Sequence, residues 1–134
     1  MYNEIPGPVI DSHHHFWEID KFDYSWMPDG SPLAVDHGPE ELEPLIGQAG
    51  VDYTVIVQAV SSVEEARWLL DLAEQHDFIA GVVAWVDLTS PDVGEVLDRL
   101  IARAGLVGIR HGADAAKALL DAGAEIDRVS LGDH

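Results

Sequence analysis

The chain has 134 residues, of which 47% are hydrophobic, so it can form one hydrophobic core but not two ordinary domains. Its formal net charge is −18, and its seven lysines and arginines form no run, which excludes nucleic acid and anionic membrane surfaces as partners. There is no cysteine, so a metal ion would need His, Asp or Glu ligands. We expect a single domain over residues 1–134.

The amino-terminal sequence MYNEIPGPVID shows neither the basic segment nor the apolar segment of a signal peptide. No apolar run approaches the roughly 20 residues that span a bilayer. We therefore expect a cytoplasmic protein.

The first predicted strand covers residues 8–13 and leads into three consecutive histidines, His13 to His15. The segment that follows, residues 16–37, is longer than an ordinary connection between a strand and a helix, and it is rich in aromatic residues. Two interpretations remain open for it. It either shapes a ligand site or forms an aromatic plug that closes one end of the sheet.

Helices and strands then alternate along the chain. Further apolar runs predict strands at residues 53–58, 79–86 and 107–110, and residues 128–131 are a candidate fifth strand. Start and stop signals predict four helices. The first begins at Gly38-Pro39 and ends at Gly50, and the second begins at the capping box Ser62-Val63-Glu64-Glu65. The third begins at Ser90-Pro91, and the fourth covers residues 113–122. This alternation is typical of an α/β protein with a parallel sheet. A complete (β/α) barrel needs roughly 250 residues, so we expect a partial, half TIM-type barrel of four to five strands.

The histidine cluster after the first strand is a candidate metal site. Alternate side chains of a strand share a face, so Asp11, His13 and His15 are expected to point one way and His14 the other. Same-face Cα atoms lie roughly 6.6 Å apart, a span that two imidazoles can bridge to a single ion. Asp11 either orients one imidazole or ligates the metal itself. We expect His14 to pack against neighbouring side chains or to support the ligands.

The segment VIDSHHHFW resembles the first-strand signature D-x-H-x-H-F-W of the amidohydrolase-related family that includes sugar lactonases and 2-pyrone-4,6-dicarboxylate lactonase. The segments FDYSWM, GVDYTVIVQA, EARWLLDLAEQHDFIAGVVAWVDL and LVGIRH are similar to the same family, in the same order, so that the resemblance covers residues 8–111. The resemblance implies a TIM-barrel hydrolase in which an activated water opens a small-molecule lactone or related cyclic ester.

The resemblance also implies roles for individual residues. His13 and His15 match a pair that binds a divalent metal, here expected to be zinc, in some members and contacts the substrate in metal-independent ones. Arg110 and His111 would be catalytic, either by binding a substrate carboxylate or by polarising the lactone carbonyl, unless they form a structural ion pair. The remaining candidates for substrate contact are Gln58, Trp17 and Trp85, and Trp85 could equally belong to the core.

Residues 112–134 depart from the lactonase pattern. They resemble a short helix-strand unit of phosphotriesterase-type amidohydrolases, in which His111 and His134 would be later-strand metal ligands. The family's catalytic aspartate at the end of the eighth strand has no identified counterpart. Three hypotheses stay open: a lactonase-like hydrolase, a truncated half-barrel that binds metal without catalysis, and a phosphotriesterase-like esterase or amidase. The missing strands predict self-association into a homo-oligomer.

Overall fold

The structure of the protein, a computed structural model, describes residues 7–111. Along them, strands and helices alternate as β1 (Ile10–His14), α1 (Pro39–Ala49), β2 (Tyr53–Val57), α2 (Val63–Gln75), β3 (Ile79–Trp85), α3 (Val93–Ile101) and β4 (Leu106–Arg110). The strands form one parallel sheet in the order β1-β2-β3-β4. This confirms the predicted α/β fold with the βα units of a partial TIM-type barrel. The predicted helix at 113–122 and strand at 128–131 lie outside the described residues.

The helix boundaries follow the sequence signals with one exception. Gly50 ends α1 in the left-handed conformation, with a φ of 75°, which glycine adopts without the steric cost that a side chain would add. Ser62 begins α2, because its side chain accepts a hydrogen bond from the Glu65 backbone N–H at 3.2 Å. The prediction that α3 begins at Ser90-Pro91 is wrong, because the helix begins at Val93. The N-cap is Asp92, and the Ser90 hydroxyl bonds to the Asp92 carboxylate rather than to the helix backbone.

The hydrophobic core lies between the sheet and the helices. Its buried members come from all three helices, from β2 and β3, and from the segments next to the strands: Phe16, Ile46, Ile56, Ala66, Leu69, Leu70, Phe78, Ile79, Val82, Ala84, Val86 and Leu100. The residues of β1 are mostly exposed, because β1 lies at the edge of the described sheet. No helix between residues 7 and 111 is long and apolar enough to cross a bilayer.

A close approach between β3 and β4 depends on Gly81. A Cβ atom added to Gly81 would lie 2.5 Å from Cγ1 of Val107, well inside van der Waals contact. We expect Gly81→Ala to lower the free energy of unfolding by about 1–3 kcal/mol, because the two strands or the valine must shift. Urea denaturation measures this loss, and the double variant Gly81→Ala/Val107→Ala should recover most of it. A loss of the same size in the double variant would contradict this explanation.

Candidate functional site

A cleft of about 490 Å³ opens at the carboxyl ends of the four strands. It is lined by His13, His15, Trp17, Trp26, Leu33, Gln58, Ala59, Val60, Ser61, Trp85 and Arg110. Carboxyl ends of parallel strands meet at one edge of the sheet, which is why residues far apart in sequence converge there. Although the chain carries a net charge of −18, none of the described residues that line the cleft is a carboxylate, so the described lining is less acidic than the sequence as a whole.

His13 and His15 lie next to each other at the end of β1. Their ring centroids are 5.2 Å apart, and the rings meet edge to face at 85°. His15 Nδ1 lies 2.6 Å from the Val57 carbonyl oxygen, so Nδ1 carries the proton and donates it to that acceptor. Burial lowers the pKa of His15, which favours the neutral ring. Its Nε2 is therefore left with a lone pair that can accept a proton or bind a metal.

Asp11 does not join this histidine pair. The pairing of β1 with β2 shifts register between Asp11 and His14. Asp11 Oδ1 accepts a hydrogen bond from the His13 backbone N–H at 3.1 Å, and Asp11 is not among the residues that line the cleft. His14 packs away from the cleft, with its ring centroid 4.7 Å from that of Phe16.

The donor set of the cleft fits part of a metal site. His13 and His15 supply two imidazoles, which are ordinary ligands for zinc and related ions. Within residues 7–111, no three His, Asp or Glu side chains come together in an arrangement that holds a metal. His134, the other predicted ligand, lies outside the described residues. The described part of the chain could thus supply two ligands, and any others would have to come from elsewhere.

Gln58 connects the ends of the two central strands. It is only 2% exposed, and its Nε2 donates hydrogen bonds to the carbonyl oxygens of Val60, at 2.7 Å, and Ser62. Its Oε1 accepts a hydrogen bond from the Trp85 backbone N–H at 2.7 Å. Because both amide hydrogens are already engaged, Gln58 can offer a ligand only the remaining lone pair of Oε1. The structure thus gives this side chain a clear part in holding the cleft together.

Arg110 brings a positive charge into the cleft. One guanidinium nitrogen donates to the Gln58 carbonyl oxygen at 3.1 Å, which fixes the direction of the side chain. A guanidinium has several further donors, so this bond leaves it able to bind a ligand oxygen as well. His111, by contrast, does not line the cleft. Its Nδ1 lies 3.0 Å from the Val86 carbonyl oxygen, and its ring stacks on Trp85 with the centroids 6.2 Å apart.

The long aromatic segment forms one wall of the cleft. Its base is closed by an antiparallel bridge, in which the backbones of Trp17 and His37 exchange hydrogen bonds of 3.0 and 2.9 Å. The Trp17 indole N–H points back into the segment, to the carbonyl oxygens of Leu33 at 3.1 Å and Val35 at 2.9 Å. Trp26, which is 49% exposed, packs against Trp17 at 5.6 Å between centroids. This geometry favours the interpretation of the segment as part of a ligand site.

Trp26 and Leu33 line the cleft, but no sequence pattern identifies them individually as site residues. They belong to an irregular segment, so neither a helical nor a strand periodicity predicts the direction of their side chains. The only sequence signal is the aromatic content of the segment. Ala59, Val60 and Ser61 were missed for a similar reason, since they follow a strand without a distinctive side chain.

Three comparisons relate the chain to known proteins. A family model described as amidohydrolase matches residues 10–125. An L-fucono-1,5-lactonase of Burkholderia ambifaria is 45% identical over 84 residues, which are 62% of this chain and 29% of that protein. An L-fucono-1,5-lactonase of Burkholderia multivorans is 40% identical over 87 residues, which are 64% of this chain and 29% of that protein. The chain thus spans less than a third of the length of these curated relatives.

Two solved structures are similar over most of the chain. Both are crystal structures of an amidohydrolase from Burkholderia multivorans, one with bound HEPES and one with bound zinc. Their TM-scores are 0.77 and 0.74, with 36% sequence identity in each case. Each match covers 87% of this chain and 42% of the solved chain. The parallel sheet and its helices are therefore the arrangement found in these larger proteins.

Proposed function

Since the chain belongs to the amidohydrolase family, we propose that it forms the part of an active site that binds and helps to hydrolyse a small sugar lactone. The observation that carries the proposal is the cleft at the strand ends, where His13, His15 and Arg110 meet between aromatic walls. The two relatives that are L-fucono-1,5-lactonases support a six-membered sugar lactone as the substrate class.

Arg110 is proposed to bind the oxygen that becomes negatively charged. Attack of water on a lactone carbonyl places charge on the carbonyl oxygen, and ring opening then yields a carboxylate. A guanidinium whose direction is already fixed by the Gln58 carbonyl can donate to that oxygen without first reorganising. The absence of carboxylates from the described lining favours such an anion, because no like charge competes for the cation.

His13 and His15 are proposed to hold a divalent ion, with zinc as the choice supported by the zinc-bound relative. When bound, such an ion supplies Lewis acidity for the lactone carbonyl and lowers the pKa of a water molecule. The hydrogen bond from His15 Nδ1 to the Val57 carbonyl fixes the tautomer and the ring orientation, as second partners of metal-binding histidines commonly do. The lowered pKa of His15 also keeps its Nε2 unprotonated and available.

The aromatic walls are proposed to orient the sugar ring and exclude water. Trp17, Trp26 and Trp85 present apolar surface to the cleft, against which the CH groups of a sugar can pack. Trp85 is itself supported from behind by the stacked His111 ring. On this geometry His111 acts through Trp85, as a positioning residue rather than one that touches the substrate.

The decisive experiment is the hydrolysis of a panel of sugar 1,5-lactones by the purified full chain, followed by proton release. Rates above those of buffer alone, with a preference for 1,5-lactones, support the proposal. Rates equal to buffer contradict it and favour a non-catalytic half-barrel that binds metal. Turnover of a phosphotriester or simple amide in place of the lactones would favour the phosphotriesterase-like alternative.

The contribution of Arg110 can be tested directly. We expect Arg110→Ala to lower kcat/KM by about 10- to 100-fold, since a hydrogen bond to a charged group contributes about 1.5–3 kcal/mol. The kcat/KM of Arg110→Lys should lie between those of the wild type and Arg110→Ala, because lysine keeps the charge but lacks the planar guanidinium group with its paired donors. Arg67→Ala, which removes an exposed arginine from α2, is the matched control. An equal loss in the two alanine variants would argue against a specific role for Arg110.

The homo-oligomer expected from the sequence stays a proposal. Its support is exposed apolar surface on the two outer strands of the described sheet, where Ile10 is 49% and Val107 is 58% exposed. Light scattering of the full chain tests it, and a mass of one chain would contradict it.

A further inference from the structure

A buried carboxyl group lies beneath the cleft, in the first turn of α2. Glu65 is 0% exposed, and its Oε1 accepts hydrogen bonds from the backbone N–H groups of Ala59, at 2.8 Å, and Val60, at 3.2 Å. In a capping box, a glutamate at this position bonds to the N–H of the capping residue, here Ser62. Glu65 instead reaches further back, to the segment that lines the cleft.

Tyr24 approaches the same carboxyl group from the aromatic segment. The Tyr24 hydroxyl and Glu65 Oε2 are both buried, and neither makes a hydrogen bond to any side chain or backbone group within the described residues. Burial and, next, the charge of Glu65 raise the pKa of Tyr24 above its usual range. Burial also raises the pKa of Glu65, against the smaller lowering effects of the Ala59 and Val60 N–H groups and of the Tyr24 hydroxyl. Since buried polar atoms are rarely left unpaired, each of these two groups is the natural partner of the other.

These two residues belong to two different walls of the cleft. Tyr24 packs within the aromatic wall, with its ring centroid 6.3 Å from Trp17 and 6.5 Å from Trp26. Glu65 holds the wall formed by Ala59 and Val60. A separate contact, between Phe22 and Trp68 at 5.7 Å, also attaches the aromatic segment to α2, but neither of its residues lines the cleft.

We propose that Glu65 is a positioning residue for the cleft. Its Oε1 holds the segment after β2, and its Oε2 holds the aromatic segment through a hydrogen bond with the Tyr24 hydroxyl. One side chain then sets the separation of the two walls. Only the expected effect on lactone kinetics rests on the proposed function, because the separation of the walls would orient a lactone bound between them. The link between Tyr24 and the backbone of Ala59 and Val60 is a property of the fold itself.

Amide hydrogen exchange tests the link without a substrate. We expect Tyr24→Phe to lower the protection of the Ala59 and Val60 amides by about three- to tenfold, although Tyr24 contacts neither amide. Glu65→Ala should lower the protection of these amides further. Glu65→Gln should keep more protection than Glu65→Ala, because the glutamine amide oxygen can still accept hydrogen bonds from them. The controls are Tyr53→Phe, at a tyrosine that is 41% exposed, and Glu64→Gln, at the neighbouring glutamate of the same turn.

Unchanged protection at both amides in Tyr24→Phe would overturn the proposal. An equal loss of protection at Gly108 of β4 would overturn it too, since the effect would then be a general loss of stability. If Glu65→Ala does not fold, Tyr24→Phe and Glu65→Gln decide between these outcomes. The double variant Tyr24→Phe/Glu65→Gln should be little worse than the poorer single variant, because both changes break one connection. Additive effects would count against a shared connection.

Kinetics give a separate readout. If the full chain hydrolyses a lactone, Tyr24→Phe and Glu65→Gln should raise KM by about three- to tenfold and leave kcat nearly unchanged, because they misplace the walls but keep His13, His15 and Arg110. A fall in kcat with an unchanged KM would contradict the positioning role. If the wild-type chain hydrolyses none, the proposed function fails, and hydrogen exchange alone still decides the connection through Glu65.

Discussion

Replacement of His15 with alanine is expected to reduce kcat/KM for lactone hydrolysis by at least about 100-fold, the loss commonly seen when one group that stabilises a transition state is removed. His15 combines three features that no other described residue of the cleft shares. It lies next to the His13 ring, its Nδ1 is fixed by the Val57 carbonyl, and burial keeps its pKa low. The same variant should lose bound zinc, measured as metal per chain after purification without an affinity tag.

His14→Ala is the matched control for this experiment, because it removes a neighbouring imidazole that packs against Phe16 on the other side of the strand. It should retain zinc and most of the activity, even if it lowers the melting temperature. His13→Ala should behave like His15→Ala. Equal losses in the His14 and His15 variants would mean that the cluster supports the strand rather than the chemistry, and the proposed function would lose its strongest residues.

Leu69→Ala is expected to lower the free energy of unfolding by about 2–5 kcal/mol. Leu69 is 0% exposed and lies in the core between α2 and the sheet, where the neighbouring side chains cannot collapse fully into the space left by the missing atoms. The loss is a large part of the stability of an ordinary domain, roughly 5–15 kcal/mol. Urea denaturation should show a lower midpoint with an unchanged slope.

The control for this prediction is Leu45→Ala in α1, a leucine of which 52% is exposed. The two substitutions remove the same atoms from a helix, so the difference between them isolates the effect of burial. We expect Leu45→Ala to cost less than about 1 kcal/mol, as surface substitutions usually do. Similar losses at the two positions would indicate that the core is not organised around α2 as the structure has it.

The order and type of the described elements could be predicted because each rests on a local signal. Apolar runs of strand length alternate with amphipathic runs of helical length, and Gly50 and Ser62 mark helix ends through their own backbone and side-chain chemistry. The meeting of Gln58, Trp85 and Arg110 in one cleft follows from the same pattern, since parallel strands bring their carboxyl ends to one edge. Local signals were therefore sufficient for the sheet and for the residues at its strand ends.

The features that could not be predicted depend on contacts between distant residues. Asp11 bonds to the His13 backbone and does not line the cleft, in a stretch where β1 and β2 shift register, and such an irregularity is set by pairing across the sheet. The sequence marks Glu65 as part of a cap, but its reach to Ala59 and Val60 depends on where the preceding strand ends. His111 follows Arg110 directly, yet only the position of the Trp85 ring shows that it packs behind the cleft.

The antiparallel bridge between Trp17 and His37 has a consequence for how this site can change in evolution. It holds the two ends of the aromatic segment together beside the sheet, so that insertions and deletions between them need not disturb the strands. The entropic cost of a longer loop grows slowly with its length, by about 0.6 kcal/mol for each doubling. This one wall can therefore change in length and composition while His13, His15 and Arg110 stay on a scaffold that folds as before.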